Sequence, residues 1–306
     1  MSRKKQKRGL KIFLIVLLCL VAALLIMLTV SDGDPFPNWQ TLLNSTDNSA
    51  SNEDDDYFKV VDVGQGDCLL FYSNGVSALI DTGIRENAVN TRNKLVDYSL
   101  GKIDALMVSH LHDDHTGGLP AISEFFSIKN LIIPDIIGNT NSANDVLSIK
   151  NKLAEGVGAV YRPEQGMVIE IGDFEITVLA YYDDEQNIND QSVFMMAEIE
   201  DKKFLLTGDA EKKAEKRLLA EGIDVSCDVL KVGHHGSRTS SNSAFLDACS
   251  PDYAAISCGV GNRYSHPNKE ILQRLNERKI ETYRTDLNGD ITFFVDNGEI
   301  SVTTQR

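Results

Sequence analysis

The sequence predicts an α/β fold in which two sheets carry helices on their outer faces. Three observations carry that reading: an opening run of short β-rich segments, a following alternation of helical and strand periodicity, and a second half that repeats the theme without repeating the sequence. The opening segments are 58–63, 68–72 and 77–80, punctuated by Gly64, Gly66 and the hairpin pair Asn74-Gly75, so the domain is expected to begin as a meander. From Asn87 the expected order is a helix near 87–99, a strand at 104–109, a helix at 118–126, a strand at 129–133, a helix at 143–155 and a strand at 158–162. Strands near 167–171, 174–180, 192–199 and 202–207 follow, then a charged amphipathic helix over 211–221 and a strand at 227–232. Helices near 241–248 and 267–277 flank a strand at 252–257, and arms at 291–295 and 299–303 close the chain as a hairpin.

Ahead of this domain, residues 1–11 hold six Lys or Arg, and residues 12–30 run 19 positions without a charge. That is long enough to cross a bilayer, with the basic side in the cytoplasm. The run exceeds the core of a cleaved signal, and Leu28-Thr29-Val30-Ser31-Asp32 is not a small-x-small cleavage site, so an uncleaved transmembrane anchor is expected. Residues 31–56, with Pro35, Pro37 and the acidic run Glu53-Asp54-Asp55-Asp56, have too little apolar content to fold and read as a disordered linker. Residues 57–306 suffice for one large domain, placed outside the cytoplasm by the anchor. It holds 24 basic against 38 acidic residues, which argues against broad non-specific binding of polyanions but leaves room for a local basic cleft. Cys68, Cys227, Cys249 and Cys258 form no CxxC pair, so neither a zinc ribbon nor a redox motif is encoded, and Cys19 lies in the apolar run.

The chemistry concentrates in Ser109-His110-Leu111-His112-Asp113-Asp114-His115-Thr116-Gly117-Gly118, which follows an apolar run and holds three of the six histidines in the chain. A strand leaving into a tight loop can turn His110 and His112 toward one point, while Asp114 and His115 face a second, so two metal positions are expected. Asp81, in Asp81-Thr82-Gly83, also ends a strand; it reads as a turn cap or as a partner that orients a metal-bound histidine. Asp209, in Thr207-Gly208-Asp209, alone would cap the next helix, but beside the histidine cluster its two oxygens can bridge two metals. His234-His235-Gly236-Ser237 follows a further strand, so one histidine can be a ligand while the other faces substrate. His266 precedes Pro267 and either caps a helix or, with Arg263, holds a phosphate.

This ordered set resembles the metallo-β-lactamase superfamily over about residues 57–306. Val61-Asp62-Val63-Gly64-Gln65-Gly66-Asp67, Asn189-Asp190-Gln191-Ser192 and Asn262-Arg263-Tyr264-Ser265-His266-Pro267 further resemble the hydrolase domain attached to ComEC-type DNA-uptake channels and its stand-alone relatives. The resemblance implies an αβ/βα four-layer sandwich with His110 and His112 on one metal, Asp114 and His115 on the other, Asp209 between, and His235 completing the second site. The chain departs from the zinc-hydrolase pattern because no histidine lies between His115 and His234. Asn189, Asp190 or water must then supply the missing ligand, and an oxygen donor makes Mn²⁺ a rival to Zn²⁺. The Gly64-Gln65-Gly66-Asp67 loop is expected at the mouth of the site.

The expected activity is hydrolysis of a phosphodiester by a metal-bridging hydroxide, with His234 or His266 binding phosphoryl oxygens or protonating the leaving group. Loss of Asp114 should abolish it. Nucleic acid is the first substrate class and a cell-envelope phosphodiester the second; the same metals serve a β-lactam or thioester hydrolase, and a non-catalytic binding module is the reading from another class. One membrane span does not build a channel, so any part in DNA uptake would be that of a tethered nuclease.

Overall fold

Side-chain alternation divides the strands between two destinations. In β1 (Tyr57–Val60), Phe58 and Val60 enter a core between two sheets, whereas Tyr57 packs into a second cluster on the far face. In β10 (Lys202–Leu206), Phe204 and Leu206 face the same inter-sheet core, while Leu205 faces a third cluster under helices. A register shift in β8 (Phe174–Ala180) between Val178 and Ala180 sends the latter to the helix side, where strict alternation would return it to the inter-sheet core.

The computed structural model describes residues 56–135 and 158–306, with a few helical residues between them at 144, 147–149 and 151. The basic tail, the anchor expected over 12–30 and nearly all of the expected linker lie outside the described residues, as does much of the helix expected over 143–155. Among the described residues no helix is long and apolar enough to cross a membrane.

The first sheet comprises β1, β2 (Leu69–Ser73), β3 (Val76–Ile80), β4 (Ile103–Met107), β5 (Ile128–Ile132), β6 (Ala159–Tyr161), β14 (Ile291–Asp296) and β15 (Glu299–Thr304), in the order β15-β14-β1-β2-β3-β4-β5-β6. Its first three strands are the expected antiparallel meander, and β3 to β6 then run parallel. The second sheet has the order β13-β12-β11-β10-β9-β8-β7, adding β7 (Val168–Ile171), β9 (Phe194–Ile199), β11 (Val229–Lys231), β12 (Tyr253–Ile256) and β13 (Glu281–Arg284). Helices α1 (Ala88–Asp97), α2 (Asp113–Thr116) and α3 (Leu119–Phe125) belong to the first half, and Leu95, Leu119 and Ile122 join the outer cluster of the first sheet. Helices α4 (Lys212–Ala220), α5 (Ser243–Cys249) and α6 (Lys269–Glu277) bury Leu218, Phe245, Leu246, Ile271 and Leu275 against the second, and α7 (Thr285–Asn288) follows β13. Two sheets face to face with helices outside is the arrangement expected.

Strand β13 and helices α2 and α7 are additions. Glu281-Thr282-Tyr283-Arg284 lies at a sheet edge, exposed or half-buried at every position, so it lacks the apolar alternation that marks a strand in sequence. The first half of the chain places Asp81 and His110 just past the parallel strands β3 and β4. The second half places Asp209 and His234 just past the parallel strands β10 and β11. Loops at the carboxyl ends of parallel strands are where α/β sheets form their sites.

Candidate metal centre

Asp81 is buried and takes three hydrogen bonds at once: from Ser109 N at 2.8 Å, from Ser109 Oγ at 2.6 Å and from His115 Nδ1 at 2.7 Å. Occupying Nδ1 leaves His115 Nε2 directed at Asp209 Oδ1, 3.3 Å away. Of the two sequence readings of Asp81, the orienting one describes its contacts. His235 is fixed in the same way, with Nδ1 on the Ser257 carbonyl at 3.1 Å and Nε2 at 3.2 Å from Asp114 Oδ2 and 3.5 Å from Asp209 Oδ2.

Of three groups of donor atoms among the described residues, each within 4.8 Å, two meet at Asp209: Asp114, His115, Asp209 and His235 form one, and His110, His112 and Asp209 the other, while Asp67, Asp81 and His115 form the third. His110 Nε2 and His112 Nδ1 approach to 3.0 Å, and His110 Nε2 lies 3.9 Å from Asp209 Oδ2. These are the pairings read from the loop, with Asp209 common to both. Three buried polar atoms here have no hydrogen-bond partner: His115 Nε2, His235 Nε2 and Asp209 Oδ1. Buried polar atoms without partners are costly, and all three aim at one space, so the donor set fits divalent cations.

The electrostatics agree. Burial should lower the basicity of His115 and His235, yet Asp209 with Asp81 in one case, and Asp209 with Asp114 and Asp67 in the other, holds both well above the ordinary histidine range. Burial likewise should raise Asp209, but His235 and His115 hold it well below the usual carboxylate range. The buried carboxylates thus draw in positive charge, which two divalent ions would supply in place of imidazole protons. His110, buried and beside His115, is pushed well below the usual range and remains a neutral donor.

Of the two candidates for the missing ligand, Asp190 Oδ1 is engaged, accepting from Glu211 N at 2.9 Å at the start of α4. Asn189 Oδ1 is buried with no hydrogen-bond partner, while Asn189 Nδ2 donates to Glu211 Oε1 at 3.2 Å. Glu211 Oε1 also lies 3.6 Å from His234 Nδ1, so this carboxylate, not singled out in the sequence, joins Asn189 to His234. It resembles an ordinary residue at a helix start, which is why spacing did not reveal it.

His234 and His235 both adopt positive φ, near +50°, which splits the adjacent rings: His235 is buried and His234 is half-buried. His234 Nε2 lies 3.7 Å from Asp209 Oδ2, and Nδ1 meets Thr239 Oγ1 at 3.2 Å. The His266 ring stands 5.6 Å from that of His234. Burial and the neighbouring His234 and His235 lower His266 to about 4, which favours the neutral, hydrogen-bonding ring over the proton donor among the two roles read for it.

The Gly64-Gln65-Gly66-Asp67 loop, expected at the mouth of the site, is half-buried at Gly64 and Gln65 and buried at Gly66 and Asp67. Gln65 Oε1 accepts from Gly259 N at 3.3 Å, tying the loop to the second half of the chain, but Asp67 turns inward and is buried. There Asp67 Oδ2 meets Lys231 Nζ at 2.8 Å, and Oδ1 lies 3.4 Å from His235 Nδ1. Lys231, fully buried, is a second residue missed in the sequence; a lysine inside the apolar run Val229-Leu230-Lys231-Val232 was the available signal. Gly66 has φ of +119°, and a Cβ there would sit 2.1 Å from the Asp114 carbonyl oxygen, so only glycine lets this loop brace the ligand loop.

A family model described as the metallo-beta-lactamase superfamily matches residues 61–260, and the chain belongs to that superfamily. Its fold and paired ligand clusters are those of a metal-binding hydrolase. Within the superfamily, the chain is similar to competence proteins. It is 32% identical over 254 residues to ComE operon protein 3 of Bacillus subtilis, covering 76% of this chain and 32% of that protein. It is 29% identical over 300 residues to competence protein ComA of Neisseria gonorrhoeae, covering 95% and 40%. Recombination protein 2 of Haemophilus influenzae is 30% identical over 249 residues, covering 78% and 29%. The chain therefore spans about a third of the length of these relatives, and the resemblance to a ComEC-type hydrolase domain holds. Among solved structures, CmlA, a diiron β-hydroxylase from Streptomyces venezuelae, aligns at a TM-score of 0.54 with 15% identity, covering 79% of this chain and 54% of that one. The metallo-beta-lactamase fold protein YhfI from Bacillus subtilis aligns at 0.52 with 15% identity, covering 75% and 96%. At that identity the likeness is one of fold.

Proposed function

We propose that the chain is a membrane-anchored, extracytoplasmic, metal-dependent phosphodiesterase acting on nucleic acid. The observation that carries the reading is the convergence of two ligand clusters on Asp209, with the lone pairs of His115 and His235 aimed inward. His110 Nε2, His112 Nδ1 and Asn189 Oδ1 would hold one ion, and Asp114, His115 Nε2 and His235 Nε2 the other, with Asp209 shared. Two divalent ions there would acidify a water and neutralise charge developing on a phosphoryl group. The oxygen donor from Asn189 makes Mn²⁺ a rival to Zn²⁺.

His234, steadied at Nδ1 by Thr239, presents Nε2 toward the space beside Asp209, where it can bind a phosphoryl oxygen or protonate the leaving group. His266 would add a neutral hydrogen bond to the same oxygens. The names of the relatives, competence and recombination proteins, favour nucleic acid over an envelope phosphodiester, a β-lactam or a thioester. The apolar run over 12–30 favours tethering to the cell membrane with the domain outside.

The test is turnover by the full chain, in detergent with Mn²⁺ or Zn²⁺, of bis(p-nitrophenyl) phosphate, single-stranded DNA and nitrocefin, with Asp114→Ala as control. Cleavage of the diester and DNA that Asp114→Ala abolishes is expected. Diester cleavage without DNA cleavage would point to an envelope substrate, nitrocefin cleavage alone would overturn the phosphodiester reading, and bound metal without turnover would favour a binding module.

A further inference from the structure

The loop 259–267 is built more rigidly than its exposure calls for. Asn262 ties it together from within: Nδ2 donates to the carbonyls of Gly259 at 2.9 Å and His266 at 2.6 Å, while Oδ1 accepts from Tyr264 N at 3.2 Å and His266 N at 3.0 Å. On this frame Tyr264 stands 49% exposed, and its ring stacks on His266 at 5.7 Å with the planes 26° apart. His266 in turn stands beside His234, whose Nε2 lies 3.7 Å from the shared carboxylate Asp209. A row of three rings therefore leads from the candidate metal centre outward and ends in the half-exposed ring of Tyr264.

Arg263 completes the arrangement. Its guanidinium lies over the Tyr264 ring, 4.9 Å from the ring centre, and donates to Tyr264 Oη at 2.7 Å. A cation over a half-exposed ring suits a group that is both flat and attached to phosphate, and it repels a quaternary ammonium head that an aromatic face alone would attract. Aromatic side chains with arginine beside them are how single-stranded nucleic acids are gripped without reading sequence.

On the phosphodiesterase reading above, we propose that Tyr264 and Arg263 form a stacking platform for the nucleobase next to the scissile phosphate, making this loop the determinant that selects single-stranded nucleic acid over other phosphodiesters. A domain of net negative charge can then hold a polyanion locally, by stacking and one arginine rather than by a broad basic surface.

The test compares two diesters with the same leaving group, thymidine 5′-phosphate p-nitrophenyl ester and methyl p-nitrophenyl phosphate, in the metal-loaded full chain. p-Nitrophenyl phosphocholine is the third substrate. Stacking is worth about 1–3 kcal/mol per base, so Tyr264→Leu should lower the preference for the thymidine ester over the methyl ester by about tenfold or more, through KM rather than kcat. Tyr264→Phe should restore it, and bound metal should stay the same in both variants. An equal effect of Tyr264→Leu on both diesters, or none on either, would overturn the platform while leaving the phosphodiesterase standing. Preference for the phosphocholine ester, lost in Tyr264→Leu, would overturn it in favour of an ammonium-binding face. Inactivity of the unaltered protein on all three would end the underlying reading and the platform with it.

Discussion

Asp209 gives the sharpest expectations at the scale of single residues, because both clusters contain it. Asp209→Asn should reduce bound metal from two ions per chain to one or fewer, read by elemental analysis, and lower diester turnover by at least about 100-fold. Asp81 touches no expected ion, yet it sets the His115 tautomer; Asp81→Asn should cost about 10–100-fold in metal affinity or activity. Lys231 and Asp67 are opposite charges buried together. Removing one strands the other, so Lys231→Met should destabilise the domain by about 3–5 kcal/mol in urea, and the Asp67→Leu, Lys231→Met pair should recover part of that loss. These residues also explain what the sequence did and did not disclose. His110, His112, Asp114, His115, Asp209 and His235 announce themselves because imidazoles and carboxylates at strand ends are rare outside sites. Lys231 and Glu211 do not, because their roles depend on partners 164 and 22 positions away, Asp67 and Asn189.

At the scale of elements, α4 and α5 meet through one carboxylate. Glu215 accepts hydrogen bonds from the backbone N–H groups of Ser241 and Asn242 and from Asn242 Nδ2, and Asn242 Oδ1 in turn caps α5 through Ala244 N and Phe245 N. Burial raises Glu215 to about 7 despite those donors. Its folded value lies above its ordinary one, so the proton is held more tightly in the folded state. The stabilisation is complete below about pH 4.5 and is lost as pH rises through about 7. Between those limits the wild type should lose about 3 kcal/mol relative to Glu215→Gln, measured by urea unfolding of both proteins at matched pH so that other titrations cancel. Among the described residues, the helices other than α2 and α7 and the strands other than β13 were legible in sequence to within a few residues, because apolar periodicity reports burial on one face. β13 was not, since an edge strand exposed along its length has no such pattern.

At the scale of the molecule, the chain closes on itself. β14, near the C-terminus, pairs with β1, the first strand, and Asp290 just before β14 accepts from Asp62 N at 2.7 Å, Lys94 Nζ at 2.6 Å and Tyr98 Oη. Truncation after residue 289 should therefore abolish cooperative unfolding, seen as loss of the calorimetric transition, rather than trim an edge. Metal should couple to the whole domain in the same sense. At about 100 times its dissociation constant, one ion adds about 2.7 kcal/mol, which in a domain of this size raises Tm by about 5–10 °C. Chelation should reverse that shift, and Asp209→Asn should shrink it.

Composition and order along the chain determined the fold class, the gathering of candidate ligands at strand ends, and Asp209 as the carboxylate common to two candidate clusters, because burial periodicity and rare chemistry are both written locally. Only the tertiary structure decided that Asp67 turns inward to Lys231, that Asn189 rather than Asp190 has the free oxygen, and that Tyr264 extends the row of rings outward from His234. Each of those depends on which distant groups claim a side chain's hydrogen bonds, and that competition is settled only when the two sheets meet.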